Sequence, residues 1–162
     1  MLEFARQEWP FVAFVVIAGS YGLIWMLRMR KRAKALAKLA LEVGLSPWNY
    51  RLLPPDLTLY GTDLQNLSKA FHIYQGVVDG VQVVFFDCRI GQGKGSWLRT
   101  ALAVRRTLPF WDRRGLDTEI VLQESGSWTL MFRPKGLFAF RSGLTSVDQL
   151  HTELNYLLLS KQ

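Results

Sequence analysis

The chain has 162 residues, which allows one membrane-spanning segment and one compact domain but not two sizeable cores. Its net charge of +7 divides into −1 over residues 1–27, +5 over 28–44 and +3 over 45–162. Because most of the basicity directly follows an apolar segment, we expect it to meet anionic lipid and not nucleic acid. The single cysteine, Cys88, excludes an internal disulfide and a cysteine-rich metal site.

Residues 9–27 form the first predicted element, a run of 19 residues without a charge. At about 1.5 Å per helical residue, the run approaches the ~30 Å hydrocarbon thickness of a bilayer. We therefore predict a transmembrane helix. Within it, Ala18 and Gly22 form a small-xxx-small pair that allows a second helix to approach closely. The general tolerance of spanning helices for small residues explains the pair equally well.

Five cationic residues directly follow the apolar run and indicate a membrane interface. They are Arg28, Arg30, Lys31, Arg32 and Lys34. These are the predicted lipid-headgroup contacts. Since the positive excess lies on this side only, residues 1–8 are expected to be a short non-cytoplasmic tail and residues 45–162 a cytoplasmic domain.

Residues 28–44 are predicted to be a basic juxtamembrane helix that ends at Gly44. Leu36, Leu39, Ala40 and Val43 have the spacing of one apolar helix face. Three placements are open for this face. It continues the spanning helix, lies on the membrane surface, or packs on the domain.

Residues 45–61 are rich in proline and aromatic side chains, and they predict an ordered connector. Thr62 and Gln65 have the spacing of a capping box, which predicts a short helix through Ala70. Two β-branched and aromatic runs then flank Asp79-Gly80, and this pattern predicts a β-hairpin. The second run is apolar on both faces, which is typical of a central strand covered on both sides.

The next strand is predicted over 98–106. Apolar and polar residues alternate there, which predicts one buried face and one solvent-exposed face. Shorter strands are expected at 119–123, 128–133 and 137–141, and a helix capped by Thr145 or Ser146 closes the chain. The fold class is thus α+β: a transmembrane helix, then a small antiparallel β-sheet or barrel closed by a C-terminal helix. A pleckstrin-like barrel has this order of elements, as do other small α+β folds.

Motifs of catalysis and cofactor binding are not found. The glycine-rich loop at 91–96 lacks the spacing of a P-loop and leads into a strand. His72 and His151 are isolated, and paired Cys/His spacings are absent from the sequence. We therefore predict no cofactor, no metal site and no enzymatic activity.

Tryptophan and arginine, which are favoured in interfaces, supply the predicted partner surface. Its candidate residues are Trp97, Arg99, Arg105, Arg106, Trp111, Arg113, Arg114 and Trp128. The alternative is that the tryptophans cover the core and the arginines are simply solvated.

The predicted hairpin carries a Tyr74-Gln75-Gly76 … Gly80 … Val83-Val84-Phe85-Phe86-Asp87 pattern, followed by the glycine-rich loop, an alternating strand and Leu108-Pro109-Phe110. This pattern resembles a group of uncharacterised bacterial membrane-anchored domains, in which tyrosine or cysteine follows the aspartate. The resemblance covers about residues 62–110 and implies a bacterial source, hence the inner membrane. It carries over no catalytic or binding residue.

These features favour a non-enzymatic, single-pass accessory or scaffold subunit of a larger membrane complex, such as a respiratory or photosynthetic one. Its partners would be anionic lipid and other membrane protein subunits. The alternative is a self-standing membrane-tethered module that binds headgroups or a soluble partner, and an enzyme with a membrane-proximal substrate is a third reading.

Overall fold

The computed structural model describes residues 2–50, 52–93, 96–105, 120–133 and 144–159, and its fold is α+β. A long helix, α1 (Leu2–Glu42), is followed by strands and a second helix, α2 (Val147–Leu159). The strands are β1 (Ser46–Pro47), β2 (Leu67–Val78), β3 (Val81–Ile90), β4 (Trp97–Val104), β5 (Val121–Ser125) and β6 (Trp128–Phe132).

The chain divides into two compact units, Met1–Ala35 and Leu36–Gln162. The first is helical over its described length. The second, which we call the β-domain, begins at Leu36 and so includes the last two turns of α1, whereas the sequence suggested a boundary at residue 45. The predicted strand at 137–141 lies outside the described residues.

The end of α1 has the geometry that its sequence predicts. Gly44 has a positive φ of 76°, the left-handed conformation that glycine adopts without steric cost. The amide of Gly44 donates to the Leu41 carbonyl and that of Leu45 to the Ala40 carbonyl, as in a Schellman motif. Leu45 is thereby turned into the core.

The predicted hairpin joins β2 and β3. Both residues of its two-residue turn have positive φ, 51° at Asp79 and 77° at Gly80, as a type I′ turn requires. Near its other end, β2 is interrupted by a register shift between Phe71 and Tyr74, where His72 also has a positive φ of 50°. This irregularity turns the His72 ring toward β3.

The six strands form one antiparallel sheet in the order β1-β2-β3-β4-β6-β5. The sheet is open among the described strands, with β1 and β5 at its edges, so these strands do not close into the pleckstrin-like barrel. A second tight turn, with Gly126 at a φ of 61°, connects β5 to β6 as the sequence predicts.

The core lies on both faces of the sheet. On the helix-covered face, Val83 and Phe85 pack with Leu36 of α1 and Leu150 of α2. On the connector-covered face, the core contains Val84, Phe86, Cys88, Ala101, Trp128, Leu57 and Leu64. The prediction that β3 is a central strand covered on both sides is therefore confirmed.

Two local predictions are wrong. Strand β4 does not have a solvent-exposed face. The connector layer covers the face that carries Arg99, Ala101 and Ala103, and all three residues are buried. The helix predicted from Thr62 is absent as well, since residues 62–66 form turns and β2 starts at Leu67. The Thr62 hydroxyl accepts a hydrogen bond from the amide of Leu64, two residues on, so it caps a turn and not a helix.

Helix α2 begins with the predicted capping box. The amide of Gln149 donates to the Ser146 hydroxyl, and the Ser146 amide donates back to the Gln149 side chain. Leu150 and Leu154 are fully buried on the helix-covered face. Of the three placements open for the apolar face at the end of α1, the structure shows two together: the segment continues the long helix, and its Leu36, Leu39 and Ala40 pack in the β-domain core.

Replacing Gly76 by alanine is expected to destabilise the β-domain by roughly 1–3 kcal/mol. A Cβ at this position would lie 2.9 Å from Leu45 Cδ2 and 3.1 Å from the Gly44 carbonyl oxygen, so the turn after α1 would have to move. Thermal unfolding of the full chain in detergent, followed by near-ultraviolet circular dichroism, measures the effect. The matched control is Val77→Ala at the exposed neighbouring position, and equal losses in both variants would contradict the packing argument.

Candidate functional site

The apolar segment 9–27 presents large hydrophobic side chains to its surroundings. Trp9, Phe14 and Ile17 are each more than two-thirds exposed, and the most apolar 18-residue window of this helix is 0% buried. Among the described residues, α1 is the one helix long and apolar enough to cross a membrane. Such a surface is not that of a core helix, because a core helix covers its apolar side chains.

The predicted helix-packing and headgroup residues lie along α1. Ala18 and Gly22 are exposed, and a Cβ at Gly22 would meet nothing within 4 Å. Arg28, Arg30, Lys31 and Lys34 are exposed, whereas Arg32 is half-buried. This part of the helix therefore offers a small-residue notch followed by several solvent-facing cations.

The predicted partner residues that the structure describes do not form one exposed surface, although Trp97 and Arg99 lie beside each other. Trp128 is 1% exposed in the core, where its indole Nε1 donates to the Asp56 carbonyl at 2.9 Å. Arg105 is exposed, and its Nη1 donates to Asp56 and Gln82. Trp97 is half-buried and Arg99 is buried. Four further candidates lie outside the described residues: Arg106, Trp111, Arg113 and Arg114.

Arg99 is a buried cation on the connector-covered face. The residue is 5% exposed, and its guanidinium carbon lies 5.3 Å from the centre of the Phe132 ring and 5.8 Å from that of Trp97. Its Nε and Nη1 atoms are buried and have no hydrogen-bond partner among the described residues. Burial lowers the pKa of this guanidinium, and the Asp63 carboxylate acts in the opposite direction.

A pocket of about 300 Å³ opens beside this guanidinium. Its wall combines the buried cation with an aromatic ring, one carboxylate and two side-chain amides. The described lining residues are Thr62, Asp63, Gln65, Asn66, Ile90, Gly91, Trp97 and Arg99. Gly91 is the first residue of the glycine-rich loop, so the loop approaches this pocket although it is no P-loop.

A hydrogen-bonded chain of polar groups lies on the other face. Asp87 is 0% exposed, and it accepts hydrogen bonds from the Thr100 hydroxyl at 2.8 Å and from His72 Nδ1 at 3.1 Å. The Thr100 oxygen in turn accepts from the Thr145 amide just before α2. This network ties together β2, β3, β4 and the start of α2, so it has a structural role.

The connector between β1 and β2 carries an uncovered apolar surface. A pocket of about 500 Å³ is lined by Trp48, Tyr50, Leu52, Leu53 and Pro55. Leu52 and Tyr50 are 79% and 67% exposed, and the indole Nε1 of Trp48 donates to the Leu52 carbonyl. We call these five residues the connector patch. In the sequence, the aromatic and proline content of this segment predicts an ordered connector. It does not by itself indicate an exposed apolar patch.

Compared with known protein families, with curated proteins and with solved structures, the chain gives no match. The resemblance of the hairpin to bacterial membrane-anchored domains therefore stays a prediction. Among the described residues, no three His, Cys, Asp or Glu side chains are grouped as metal ligands would be.

Replacing Thr100 by valine is expected to destabilise the β-domain by about 1–3 kcal/mol, because buried Asp87 loses a donor and the Thr145 amide loses an acceptor. Thermal unfolding of the full chain in detergent measures the loss. Thr100→Ser keeps the hydroxyl and serves as the control. A valine variant as stable as the wild type would contradict the assignment, because valine keeps the methyl group and loses only the hydroxyl.

The stability of the β-domain is expected to fall between pH 9 and 12 partly through Cys88. Burial raises the pKa of this thiol from 9.0 to about 12, Asp87 adds to the rise and Arg99 opposes it. The folded state thus holds the proton more tightly, so the contribution is full below about pH 9 and is lost as pH rises, by up to ~1.4 kcal/mol per pH unit. Urea unfolding of the wild type and of Cys88→Ala across this range is the measurement. Parallel curves for the two proteins would contradict the assignment.

Proposed function

We propose that this chain is a single-pass protein of a bacterial inner membrane, and that it serves as a non-enzymatic accessory or scaffold subunit of a larger membrane complex. The observation that carries the proposal is the uncovered apolar helix surface at residues 9–27. An apolar helix that is not covered by its own chain is stable when lipid or other spanning helices surround it. The bacterial setting rests on the hairpin resemblance alone.

The charge distribution supports an orientation with the N-terminus outside and the β-domain in the cytoplasm. The exposed cations of the juxtamembrane segment follow the apolar run directly, and cytoplasmic flanks carry such an excess. Each cation near an anionic surface contributes about 1 kcal/mol of attraction. These residues would hold the end of the apolar segment at the headgroups.

The connector patch supports docking of the β-domain on another subunit. Apolar side chains as exposed as Leu52 and Tyr50 are individually common, but a group of five that also lines a pocket is typical of an interaction surface. Aromatic residues in such a group contribute large contact areas when a partner covers them. Of the predicted interface residues, Trp128 is excluded by its burial, and the patch adds a surface to those that remain.

A self-standing membrane-tethered binding module is the second candidate. The pocket beside Arg99 favours it, since ligand sites combine apolar and aromatic walls with a few polar or charged groups, and this pocket joins Trp97 and Ile90 with a buried cation. The two candidates differ in what the full-length protein carries with it out of the membrane. A scaffold subunit leaves with its complex, whereas a tethered module leaves alone.

Gentle detergent extraction, native mass determination and identification of co-migrating subunits test the proposal. We expect the wild type to migrate in a complex of several different subunits. Replacing both Ala18 and Gly22 by leucine is expected to reduce the co-migrating fraction by about tenfold, or ~1.4 kcal/mol, because the larger side chains would prevent the close approach of a neighbouring helix.

The matched control for that experiment is leucine at Val12 and Val16, which have the same four-residue spacing and are already large and exposed. Equal loss in both variants would point to general disturbance of the helix. A wild-type protein that migrates as a monomer or small homo-oligomer in every mild detergent would overturn the scaffold proposal and leave the tethered module.

A further inference from the structure

The pocket beside Arg99 has an unmet electrostatic requirement. A cation removed from water loses several kcal/mol of hydration unless an opposite charge and hydrogen-bond acceptors replace the solvent. Arg99 is 5% exposed, yet Nε and Nη1 donate to no acceptor within the described part of the chain. The Asp63 carboxylate influences the guanidinium from the pocket wall without forming an ion pair within 4 Å in the described residues.

Other features hold the guanidinium where it is. The Phe132 and Trp97 rings lie within 6 Å of it, a distance at which an aromatic face attracts a cation. Strand β4 fixes the backbone, because Arg99 lies opposite Cys88 in the register with β3. The cation is thus preorganised at the side of an open pocket, and little conformational entropy remains to be lost when a ligand binds.

We propose that this pocket binds the carboxylate of a small organic acid, with the Arg99 guanidinium as its counter-ion. The carboxylate would lie against the guanidinium, which lines the pocket, and would place an opposite charge in direct contact with the buried cation. Arginine suits this role because its planar group matches the two carboxylate oxygens. A volume of about 300 Å³ is at the small end of ligand pockets and fits a small acid.

The remaining lining selects a single negative charge over a polyanion. The described lining contains one cation, Arg99, and one carboxylate, Asp63, so it has no net positive charge to offset the much larger hydration energy that a doubly charged phosphate would lose on entry. The amides of Gln65 and Asn66 offer donors and acceptors for the rest of the acid, and the Trp97 ring offers an apolar wall. The inference concerns a ligand of the β-domain and is independent of whether the anchor joins a complex.

Nuclear magnetic resonance of the full chain in detergent tests the proposal, with the arginine Nε–Hε signals as the readout. Acetate and benzoate are the probes, acetamide and benzamide are their uncharged isosteres, and inorganic phosphate is the polyanion. We expect the Arg99 signal to move in a saturable way with the acids and to stay in place with the amides. Phosphate at equal ionic strength is expected to move it much less.

Substitutions separate binding from folding. Arg99→Met removes the charge but keeps the apolar stem, so the fold is expected to survive and acid binding to fall about tenfold or more, as measured by calorimetry. Arg105→Met removes an exposed arginine that follows the same strand and should leave binding unchanged. Asp63→Asn is expected to tighten binding roughly threefold, because it removes the opposing charge from an exposed position.

The Asp63 variant keeps the proposal testable if Arg99→Met fails to fold. Weaker binding in Asp63→Asn would overturn it. So would an Arg99 signal that no acid moves, or one that acids and uncharged amides move alike. Equal displacement by acetate and phosphate would also overturn it, since the effect would then be general ionic screening.

Discussion

The β-domain depends on one constraint, the burial of strand β3 on both faces. Every side chain from Val83 to Cys88 is inaccessible to solvent, so the sheet needs a layer on each side. The end of α1 and helix α2 supply one layer, and the connector supplies the other. An irregular segment thus forms part of the core. The Trp128 indole holds the connector backbone at Asp56 by a hydrogen bond, and the connector in turn shields the sheet from water.

A sheet buried on both faces must provide hydrogen-bond partners for any polar side chain inside it. The described part of the β-domain does this for Asp87 but not for two nitrogens of Arg99. Asp87 has donors from two neighbouring strands, at the cost of a positive φ at His72, which for a side chain other than glycine amounts to about 1–3 kcal/mol. Arg99 on the opposite face is surrounded by aromatic rings and has no such acceptors for Nε and Nη1 in the described chain. The first arrangement completes a structure, whereas the second leaves a charge that a ligand can complete. That contrast is why we assign a binding role to Arg99 and a structural one to Asp87.

Local signals in the sequence predicted the elements whose chemistry is local. The Asp79-Gly80 turn, the Gly44 cap and the Ser146 capping box all form as expected, because each needs only a few neighbouring residues. The two wrong predictions concern segments whose structure is decided by residues distant in the sequence. Alternation along β4 predicted a wet face for Arg99, but alanines at 101 and 103 suit either environment, and the connector covers them. The Thr62 spacing suits both a helix and a turn, and pairing of the following residues with β3 decided for the turn. The pocket beside Arg99 depends on both the covering of β4 by the connector and the turn at Thr62. Local sequence signals therefore did not predict it.

Helix α1 is one regular element whose surface changes character along the chain. Residues 9–27 are apolar on every side and exposed, the next turns carry cations, and Leu36, Leu39 and Ala40 are buried on one side in the β-domain core. The same helical geometry thus meets two different requirements. A one-sided apolar stripe is satisfied by folding against a sheet, whereas an all-round apolar surface cannot be satisfied by a single neighbouring layer. In the membrane placement that we propose, hydrocarbon or several other helices satisfy it, and the cations between the two segments lie where one environment gives way to the other.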